Sequence, residues 1–247
     1  MITKKIFTFY TEPIPNYIKL CLKTWQKYKP KDYELIFLNK KNINQYIEKT
    51  HFSQAQKAIK ENNTFLLSLL VINSQGGLYL SPDTIFLPNF SINTKLLEHS
   101  DVIFYSLSQN YTHNGFVLGK KKSNTLKNLI KKYKPQNTQN ISSYITTKTG
   151  FSISDITNEL TSNKISILDS EKEKFLIELA EFGVISKQLY EDFYFTNNHT
   201  IPNFLKKYNS FFALNKELTP KKYIKMPEKE FLKQGILLSN IFQSVLK

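Results

Sequence analysis

The chain has 247 residues and a formal net charge of +14, and all of its 34 basic residues are lysines. Base readout and tight phosphate binding favour arginine's planar fork, so the lack of arginine argues against a nucleic-acid binder despite the charge. The single cysteine, Cys21, excludes an internal disulfide, fits a reducing compartment and is expected to fill the core. No stretch approaches the ~18 to 20 apolar residues of a membrane-spanning helix, and the N-terminus lacks the apolar core of a signal peptide.

The first part of the chain predicts alternating strands and helices. Residues 5–10 are predicted as a strand, 20–25 as part of a helix and 31–38 as a second strand. An apolar helix over 65–72 then ends at a glycine pair, Gly76-Gly77. This order favours a single α/β domain over residues 1–247, within the size range of one such unit.

The later part of the chain predicts further strands and then mainly helices. Residues 101–107 are predicted as a strand and 124–133 as a helix. Residues 171–182 are predicted as a helix because their start is acidic, as the helix dipole prefers. We expect the C-terminal part, from about residue 165 to 247, to be mostly helical.

The stretch from Gly76 to Asp83 is the most informative in the chain. The glycine pair allows a tight turn, and the alternation around Tyr79 predicts a short strand. This strand would bring Ser81 and Asp83 to its carboxyl end, the edge at which open α/β sheets bind ligands. Taken alone, the stretch also fits an ordinary glycine stop of a helix followed by a Ser-Pro-Asp turn without any ligand.

These elements resemble the sugar transferases that carry a D-x-D motif, a group that includes capsular-polysaccharide synthesis proteins and the yeast-type initiating mannosyltransferases. Their pattern is a helix with Asp and Arg, then Gly-Gly-x-Tyr-x-Asp-x-Asp, then an apolar strand ending at a proline, here 84–88. Thr24-Trp25, 114–118 and Thr149-Gly150 match further blocks, so the similarity covers about two thirds of the chain. The resemblance implies a GT-A-like nucleotide-sugar transferase fold, which is α/β with a mixed, mostly parallel sheet and flanking helices.

Most of the charged groups of that pattern are replaced in this chain. The helix Asp and Arg become Phe65 and Ser68, the first acid of D-x-D becomes Ser81, and Asp83 remains. In the family, Mn²⁺ or Mg²⁺ takes carboxylate oxygens and stabilises the departing nucleoside diphosphate. The resemblance therefore implies that Asp83 is a metal ligand, while Ser81 hydrogen-bonds the ribose or a metal-bound water and adds no charge. We expect a weakened metal site.

The resemblance also implies where the donor is bound. Phe9 and Tyr10 follow the first strand and would line the pocket for the nucleotide base. Gly76, Gly77 and Tyr79 would form the floor of the donor pocket.

Other positions have weaker signals. His199 is the best-placed histidine for a third metal ligand, with a polar loop and no metal as the alternative. His113 and Asn114 are candidates for the acceptor side, although a surface turn is the more favoured interpretation of His113. The catalytic residue is unknown, and Asp101 and Asp155 are candidates for a base merely as acids near strand ends.

The resemblance implies transfer of a hexose from a nucleotide sugar to a hydroxyl of a surface glycan, such as a capsule or a lipopolysaccharide, with retention of the anomeric configuration. The expected partners are the nucleotide-sugar donor and a glycan or lipid-linked glycan acceptor, and no nucleic acid. The abundance of lysine, asparagine and isoleucine indicates an AT-rich bacterial genome, and a cytoplasmic location is expected. The alternative is a catalytically silent, transferase-like binding or scaffold protein in polysaccharide assembly.

Lysine clusters at 120–122, 131–132 and 221–222 are typical of solvated helix faces. They would also permit peripheral contact with anionic lipid on the inner face of the plasma membrane, at about 1 kcal/mol per lysine near the surface. A lipid-linked acceptor would make such a contact useful.

Overall fold

The computed structural model of the chain describes residues 3–11, 13–108, 111–133, 149–168, 176–177, 187–196 and 210–247. The chain divides into two compact units. The first unit comprises residues 1–12, 32–81 and 92–169, and the second comprises 13–31, 82–91 and 170–247. The single domain expected from the sequence stays a prediction.

Strands and helices alternate through most of the described chain. The strands are β1 (Lys5–Phe9), β2 (Glu34–Leu38), β3 (Gly77–Leu80), β4 (Thr84–Phe86), β5 (Val102–Ser108), β6 (Tyr111–His113), β7 (Phe116–Gly119), β8 (Thr149–Ser152), β9 (Ile165–Leu168), β10 (Leu176–Ile177) and β11 (Phe211–Ala213). The α-helices are α1 (Asn16–Tyr28), α2 (Phe52–Lys60), α3 (Thr64–Gln75), α4 (Asn124–Lys132), α5 (Thr157–Thr161), α6 (Lys187–Tyr194), α7 (Lys221–Lys225), α8 (Glu228–Phe231) and α9 (Leu237–Leu246). Short 3₁₀ helices lie at Ile43–Gln45, Lys49–His51, Thr94–Glu98 and Ser154–Ile156.

A mixed sheet forms the centre of the first unit. Its described strands run in the order β2-β1-β3-β7-β5-β6-β8, and β9 pairs with β5. Strand β1 runs parallel to β2 and β3, and β5 runs parallel to β9, whereas the pairings of β7 with β3 and β5 and of β6 with β5 and β8 are antiparallel. The predicted α/β fold with a mixed sheet and flanking helices is confirmed.

Helix α3 is the buried helix of the first unit. Its residues from Phe65 to Ser74 are all buried, as expected of a helix that is apolar on every side. The side chain of Asn63 caps its N-terminus by accepting a hydrogen bond from the backbone of Leu66 at 3.0 Å. Gly76 ends it with a positive φ of +69° and an extended ψ of −179°, a combination that is essentially restricted to glycine. The predicted helix and its glycine stop are therefore confirmed.

The second unit contains a smaller sheet and several helices. Its described strands run in the order β10-β11-β4, with β10 and β11 parallel and β11 and β4 antiparallel. Helix α1 contacts β4 and the C-terminal helices α7, α8 and α9. Residues 176–177 form a strand, so the helix predicted over 171–182 is wrong at that point. Among the described helices, none combines the length and the apolar character needed to cross a membrane.

Candidate functional site

The carboxyl ends of β1 and β3 define one edge of the first unit. The two strands are adjacent and parallel, so Tyr10, which follows β1, and Ser81, which follows β3, lie at the same edge. The backbone N–H of Ser81 donates to the carbonyl of Gly115 at 2.8 Å. The structure thereby brings Ser81 together with His113, the last residue of β6, and with Asn114 in the turn between β6 and β7. We call this group of residues the strand-end cluster.

The ring of His113 is fixed in this cluster. The side chain is 2% exposed, and its Nδ1 accepts a hydrogen bond from the backbone N–H of Gly115 at 2.9 Å. An accepting Nδ1 carries no proton, so the neutral ring has its proton on Nε2. The ring is buried, so the interpretation of His113 as a surface-turn residue is wrong, while its acceptor-side role stays a prediction.

Gly115 is required by the packing of the strand-end cluster. A Cβ atom at this position would lie 2.6 Å from Cε1 of His113 and 3.0 Å from Cβ of Ser81. The backbone at Gly115 therefore contacts both functional candidates directly. The Asn114-Gly115 pair is a recognisable turn signal in the sequence, but the local pattern does not reveal the contacts of Gly115 with His113 and Ser81.

Phe9 and Tyr79 lie in the apolar core just before this edge. Both side chains are buried and belong to the main hydrophobic cluster of the first unit, together with Phe7 and Val117. Tyr10 is half-buried and lies at the end of its strand. The rings of Phe9 and Tyr79 thus support the strands that end in the strand-end cluster, and their contact with a nucleotide stays a prediction.

The glycine pair lies at the opposite end of β3 from Ser81. A Cβ at Gly77 would lie 2.6 Å from the carbonyl oxygen of Lys5, and one at Gly76 would lie 2.9 Å from the backbone nitrogen of Lys121. Both glycines also have a positive φ. Close packing of backbone segments therefore explains why both positions are glycine. The part of the glycine pair in the donor pocket stays a prediction.

Phe65 and Ser68 occupy the two positions on α3 at which the resembled family has Asp and Arg, and both side chains are buried in the core. The ring of Phe65 packs against those of Phe104, Tyr133 and Phe151, with centroid distances of 6.1, 5.4 and 5.3 Å. The hydroxyl of Ser68 donates to the carbonyl of Phe65 at 2.7 Å, within its own helix. These positions present no charge, unlike those of the family that the sequence resembles.

Asp83 lies in the second unit, directly before β4. The residue is buried, with 3% of its surface exposed. The backbone N–H of Leu214 donates to the carbonyl of Asp83 at 2.8 Å, and that of Lys216 donates to Oδ2 at 3.2 Å. Lys216 was not predictable as a partner of Asp83 because it lies 133 residues farther along the chain.

Cys21 is buried in the same unit. Burial raises the pKa of its thiol well above the ordinary value, and the negative charge of Asp83 raises it further. The thiol is therefore protonated and unreactive at neutral pH. The expectation that Cys21 fills the core is confirmed.

The metal site predicted from the sequence requires several oxygen or nitrogen ligands. Within the described ranges, no three His, Cys, Asp or Glu side chains lie close enough to hold an ion. Oδ2 of Asp83 accepts a backbone N–H, Ser81 offers a neutral hydroxyl, and His199 lies outside the described residues. The described residues do not make a complete Mn²⁺ or Mg²⁺ site, and the metal stays a prediction.

Asp101 organises the opposite edge of the first unit. It precedes β5, and its carboxylate accepts hydrogen bonds from Thr125 at 2.6 Å, Ser123 at 3.2 Å and Lys120 at 3.3 Å. Partial burial raises the pKa of Asp101, but the hydrogen bonds from these three side chains outweigh it and hold the pKa below the ordinary value. Asp101 therefore secures the start of α4 at the edge away from Ser81, a position that gives no support to a role as base. Asp155 is exposed in a 3₁₀ turn.

Replacing Asp101 with asparagine should destabilise the protein by about 1 kcal/mol at neutral pH. A charged hydrogen bond contributes ~1.5–3 kcal/mol when buried, and less here because the side chain is 31% exposed. A carboxyl group with a lowered pKa stabilises the fold above its unfolded-state pKa and loses that effect as the pH falls through its folded-state pKa. Urea denaturation at neutral and acidic pH should therefore show a difference that shrinks in acid. Asp155→Asn is the matched control, and an equal loss at both pH values would contradict this account.

Comparison with known proteins gives structural matches. No protein-family model matches the chain, and no curated protein matches it. The glycosyltransferase GlyE of Streptococcus pneumoniae TIGR4, in its apo form, is similar at 12% identity and a TM-score of 0.49, over 99% of this chain and 60% of that one. An active-site mutant of LgtC is similar at 12% identity and a TM-score of 0.41, over 98% and 94%. The PaToxG glycosyltransferase is similar at 18% identity and a TM-score of 0.39, over 65% and 70%.

Proposed function

We propose that the chain is a glycosyltransferase that moves a hexose from a nucleotide sugar to a hydroxyl of a glycan acceptor. The observation that carries this proposal is the strand-end cluster, where Tyr10, Ser81, His113 and Asn114 lie at the carboxyl edge of parallel strands. Ligands of α/β sheets bind at this kind of edge. The order of motifs along the sequence supports the same class of enzyme.

The chemistry of the strand-end cluster suits a sugar or a ribose. Ser81 and Asn114 are half-buried and carry a hydroxyl and an amide, which both donate and accept hydrogen bonds. Neighbouring hydroxyls of a sugar ring present the same alternation of donors and acceptors. His113 is fixed in one tautomer by Gly115, so the turn that carries Asn114 has a defined geometry. These residues would bind and orient the donor, and the group that transfers the sugar is not assigned.

Several finer features belong to the same proposal. On the basis of the sequence resemblance, we propose that the acceptor is a surface glycan or a lipid-linked glycan. On the same basis, we propose that the transfer retains the anomeric configuration. Asp83 is the proposed ligand of a Mn²⁺ or Mg²⁺ ion, which would supply positive charge to the leaving diphosphate. The donor-binding roles proposed for the strand-end cluster do not require that ion.

A catalytically silent binding protein is the second candidate. Phe65 and Ser68 occupy the positions that hold Asp and Arg in the related pattern. The ring of Phe65 packs against other aromatic rings, and the hydroxyl of Ser68 donates within its own helix. A fold that keeps the strand-end cluster but lacks these charges could bind a nucleotide sugar without turning it over. Binding and turnover must therefore be measured separately.

A thermal-shift panel with UDP-, GDP-, CMP- and ADP-sugars should identify one donor that raises the melting temperature. A ligand at a hundredfold excess over its Kd stabilises the native state by about 2.7 kcal/mol. Each donor is measured with Mn²⁺ and with EDTA, and Asp83→Ala tests the metal ligand. Release of nucleoside diphosphate on addition of glycan acceptors then measures turnover. A shift with turnover supports the transferase, a shift without turnover supports the silent binder, and no shift with any donor overturns both.

Replacing Ser81 with alanine should weaken donor binding roughly two- to twelvefold, since one hydrogen bond contributes about 0.5–1.5 kcal/mol. The melting temperature without donor should change little because the removed group is one half-buried hydroxyl. The control is Ser53→Ala, at an exposed position on α2. Equal donor affinity in the wild type and both variants would remove Ser81 from the site.

A further inference from the structure

Helix α1 carries a row of lysines along the second unit. Lys19, Lys23 and Lys27 recur at every fourth residue and are exposed, whereas the other side of the helix is buried. Residues four apart lie on the same side of a helix, so the three ammonium groups form one row. From residue 13 to residue 31 the sequence contains no Asp or Glu. Helix α1 therefore supplies no carboxylate to neutralise the row.

The C-terminal helices widen this row into a basic surface. Nδ2 of Asn16, at the start of α1, donates a hydrogen bond to the carbonyl of Met226 at 3.0 Å. Lys23 of the same helix forms an ion pair with Glu228. Lys225 and Lys229 are exposed and directly adjoin these two contact points in the sequence. We define the α1 basic face as Lys19, Lys23, Lys27, Lys225 and Lys229. Within α1, α7 and α8 the carboxylates are Glu228 and the exposed Glu230, so these three helices present an excess of positive charge at the face.

The α1 basic face rests on a packed support. Nζ of Lys27 and the hydroxyl of Tyr28 both donate to the carbonyl of Val245 in the last turn of α9, at 3.1 and 2.6 Å. The buried side of α1 includes the fully buried Tyr17 and Trp25. The lysines are therefore presented by fixed helices and not by a loose segment.

The chemistry of the face selects the kind of partner. Among the described residues, the large hydrophobic side chain that is exposed is Phe37, and it lies in the first unit. Tyr28, the aromatic ring next to Lys27, is half-buried with Nζ of Lys27 over it at 5.2 Å. The described face therefore has no exposed aromatic platform on which nucleic-acid bases could stack and no apolar anchor for insertion into acyl chains. Lysine is a point charge that needs no fixed partner geometry, which suits a surface of many mobile anionic groups. We infer that the α1 basic face binds the anionic headgroups of a lipid bilayer by electrostatic attraction alone.

Vesicle co-sedimentation tests this inference directly. The full chain should bind vesicles of phosphatidylcholine and phosphatidylglycerol in equal parts and leave vesicles of pure phosphatidylcholine unbound. The binding should disappear as salt rises from ~0.1 M to ~1 M, because the screening length falls from about 10 Å to about 3 Å. The triple variant Lys19→Gln, Lys23→Gln, Lys27→Gln should bind at least tenfold more weakly.

A matched variant removes the same charge from the other unit. Lys49, Lys57 and Lys60 are exposed in the first unit, and their replacement by glutamine should leave vesicle binding within a factor of about three, the residual effect of net charge. The double variant Lys225→Gln, Lys229→Gln tests the face without touching α1, and should weaken binding at least threefold. Thermal melting of every variant verifies that it is folded.

Three outcomes would overturn the inference. The first is equal weakening by the two triple variants, which would mean that net charge and not the α1 basic face decides binding. The second is binding that persists in ~1 M salt, which would indicate insertion of apolar groups. The third is tighter binding to a single-stranded DNA oligonucleotide than to the anionic vesicles, which would assign the face to nucleic acid. This inference does not depend on the proposed transferase activity.

Discussion

Replacing Trp25 with alanine should destabilise the protein by about 3–5 kcal/mol, the range for removal of a large aromatic side chain from a core. Trp25 is fully buried. Its Nε1–H donates to the carbonyl of Thr84 at 2.6 Å, and its ring stacks on Phe86 at a centroid distance of 4.8 Å and an angle of 7°. Alanine would remove the hydrogen bond and the stack together and leave a cavity.

The loss should be large because α1 completes the edge of β4. The neighbouring Thr24 accepts a hydrogen bond from the backbone N–H of Phe86 at 2.9 Å. The Thr24-Trp25 pair therefore satisfies backbone groups of a strand whose sheet partner is β11. Loss of the tryptophan would also remove the hydrogen bond to the carbonyl of Thr84. A buried backbone group that loses its partner destabilises the fold, and this cost adds to that of the cavity.

Trp25→Phe separates the two contributions. Phenylalanine keeps most of the stack and removes the hydrogen bond, so its loss should be smaller, about 1–3 kcal/mol. The exposed Gln26→Ala on the same helix is the control and should stay within about 0.5 kcal/mol. Denaturant unfolding followed by circular dichroism measures all three. A loss below about 1 kcal/mol for Trp25→Ala would contradict the packing described for α1 and β4.

Replacing Gly77 with alanine should reduce stability by at least about 3 kcal/mol, because two separate penalties combine. Its φ is +97°, a region that L side chains rarely adopt, and the added Cβ would lie 2.6 Å from the carbonyl oxygen of Lys5. The atom it meets belongs to the backbone of β1, so it cannot move away without disturbing the central strands. The expected measurement is a lower denaturation midpoint with an unchanged m-value.

Gly235 provides the matched control for the space available at Gly77. It also has a positive φ, +67°, but it is exposed and lies in the loop between α8 and α9 in the second unit. Gly235→Ala should therefore pay the conformational penalty alone, about 1 kcal/mol. Equal losses at the two positions would show that the close approach to Lys5 contributes nothing. Such a result would contradict the register of β1 and β3.

Local patterns predicted much of the first unit. The strands over 5–10 and 31–38 correspond to β1 and β2, and the helix over 124–133 corresponds to α4. Helix α3 was predictable because its apolar residues and its glycine stop are adjacent in the sequence. Such elements depend on neighbouring residues, so the order of side chains is enough to specify them.

The errors and omissions arise where distant residues meet. Residues 176–177 lie in a stretch of helix-like composition, but these two residues pair with β11 as a strand. The burial of His113 follows from its hydrogen bond to Gly115 and from the packing of that glycine against Ser81. Pairing and burial of this kind are decided by partners that the local pattern does not contain.

The sequence by itself determined the alternation of strands and helices, the glycine turn and the choice of Ser81 and Asp83 as candidates. The tertiary structure alone decided what the glycine pair packs against, and which groups contact Asp83. It showed that the glycine pair packs against the backbones of Lys5 and Lys121, away from Ser81. It also showed that a backbone N–H from Lys216, 133 residues away, donates to the carboxylate of Asp83. Short-range patterns fix the backbone locally, whereas contacts between distant segments form when the chain buries its apolar surface, and no local pattern records them.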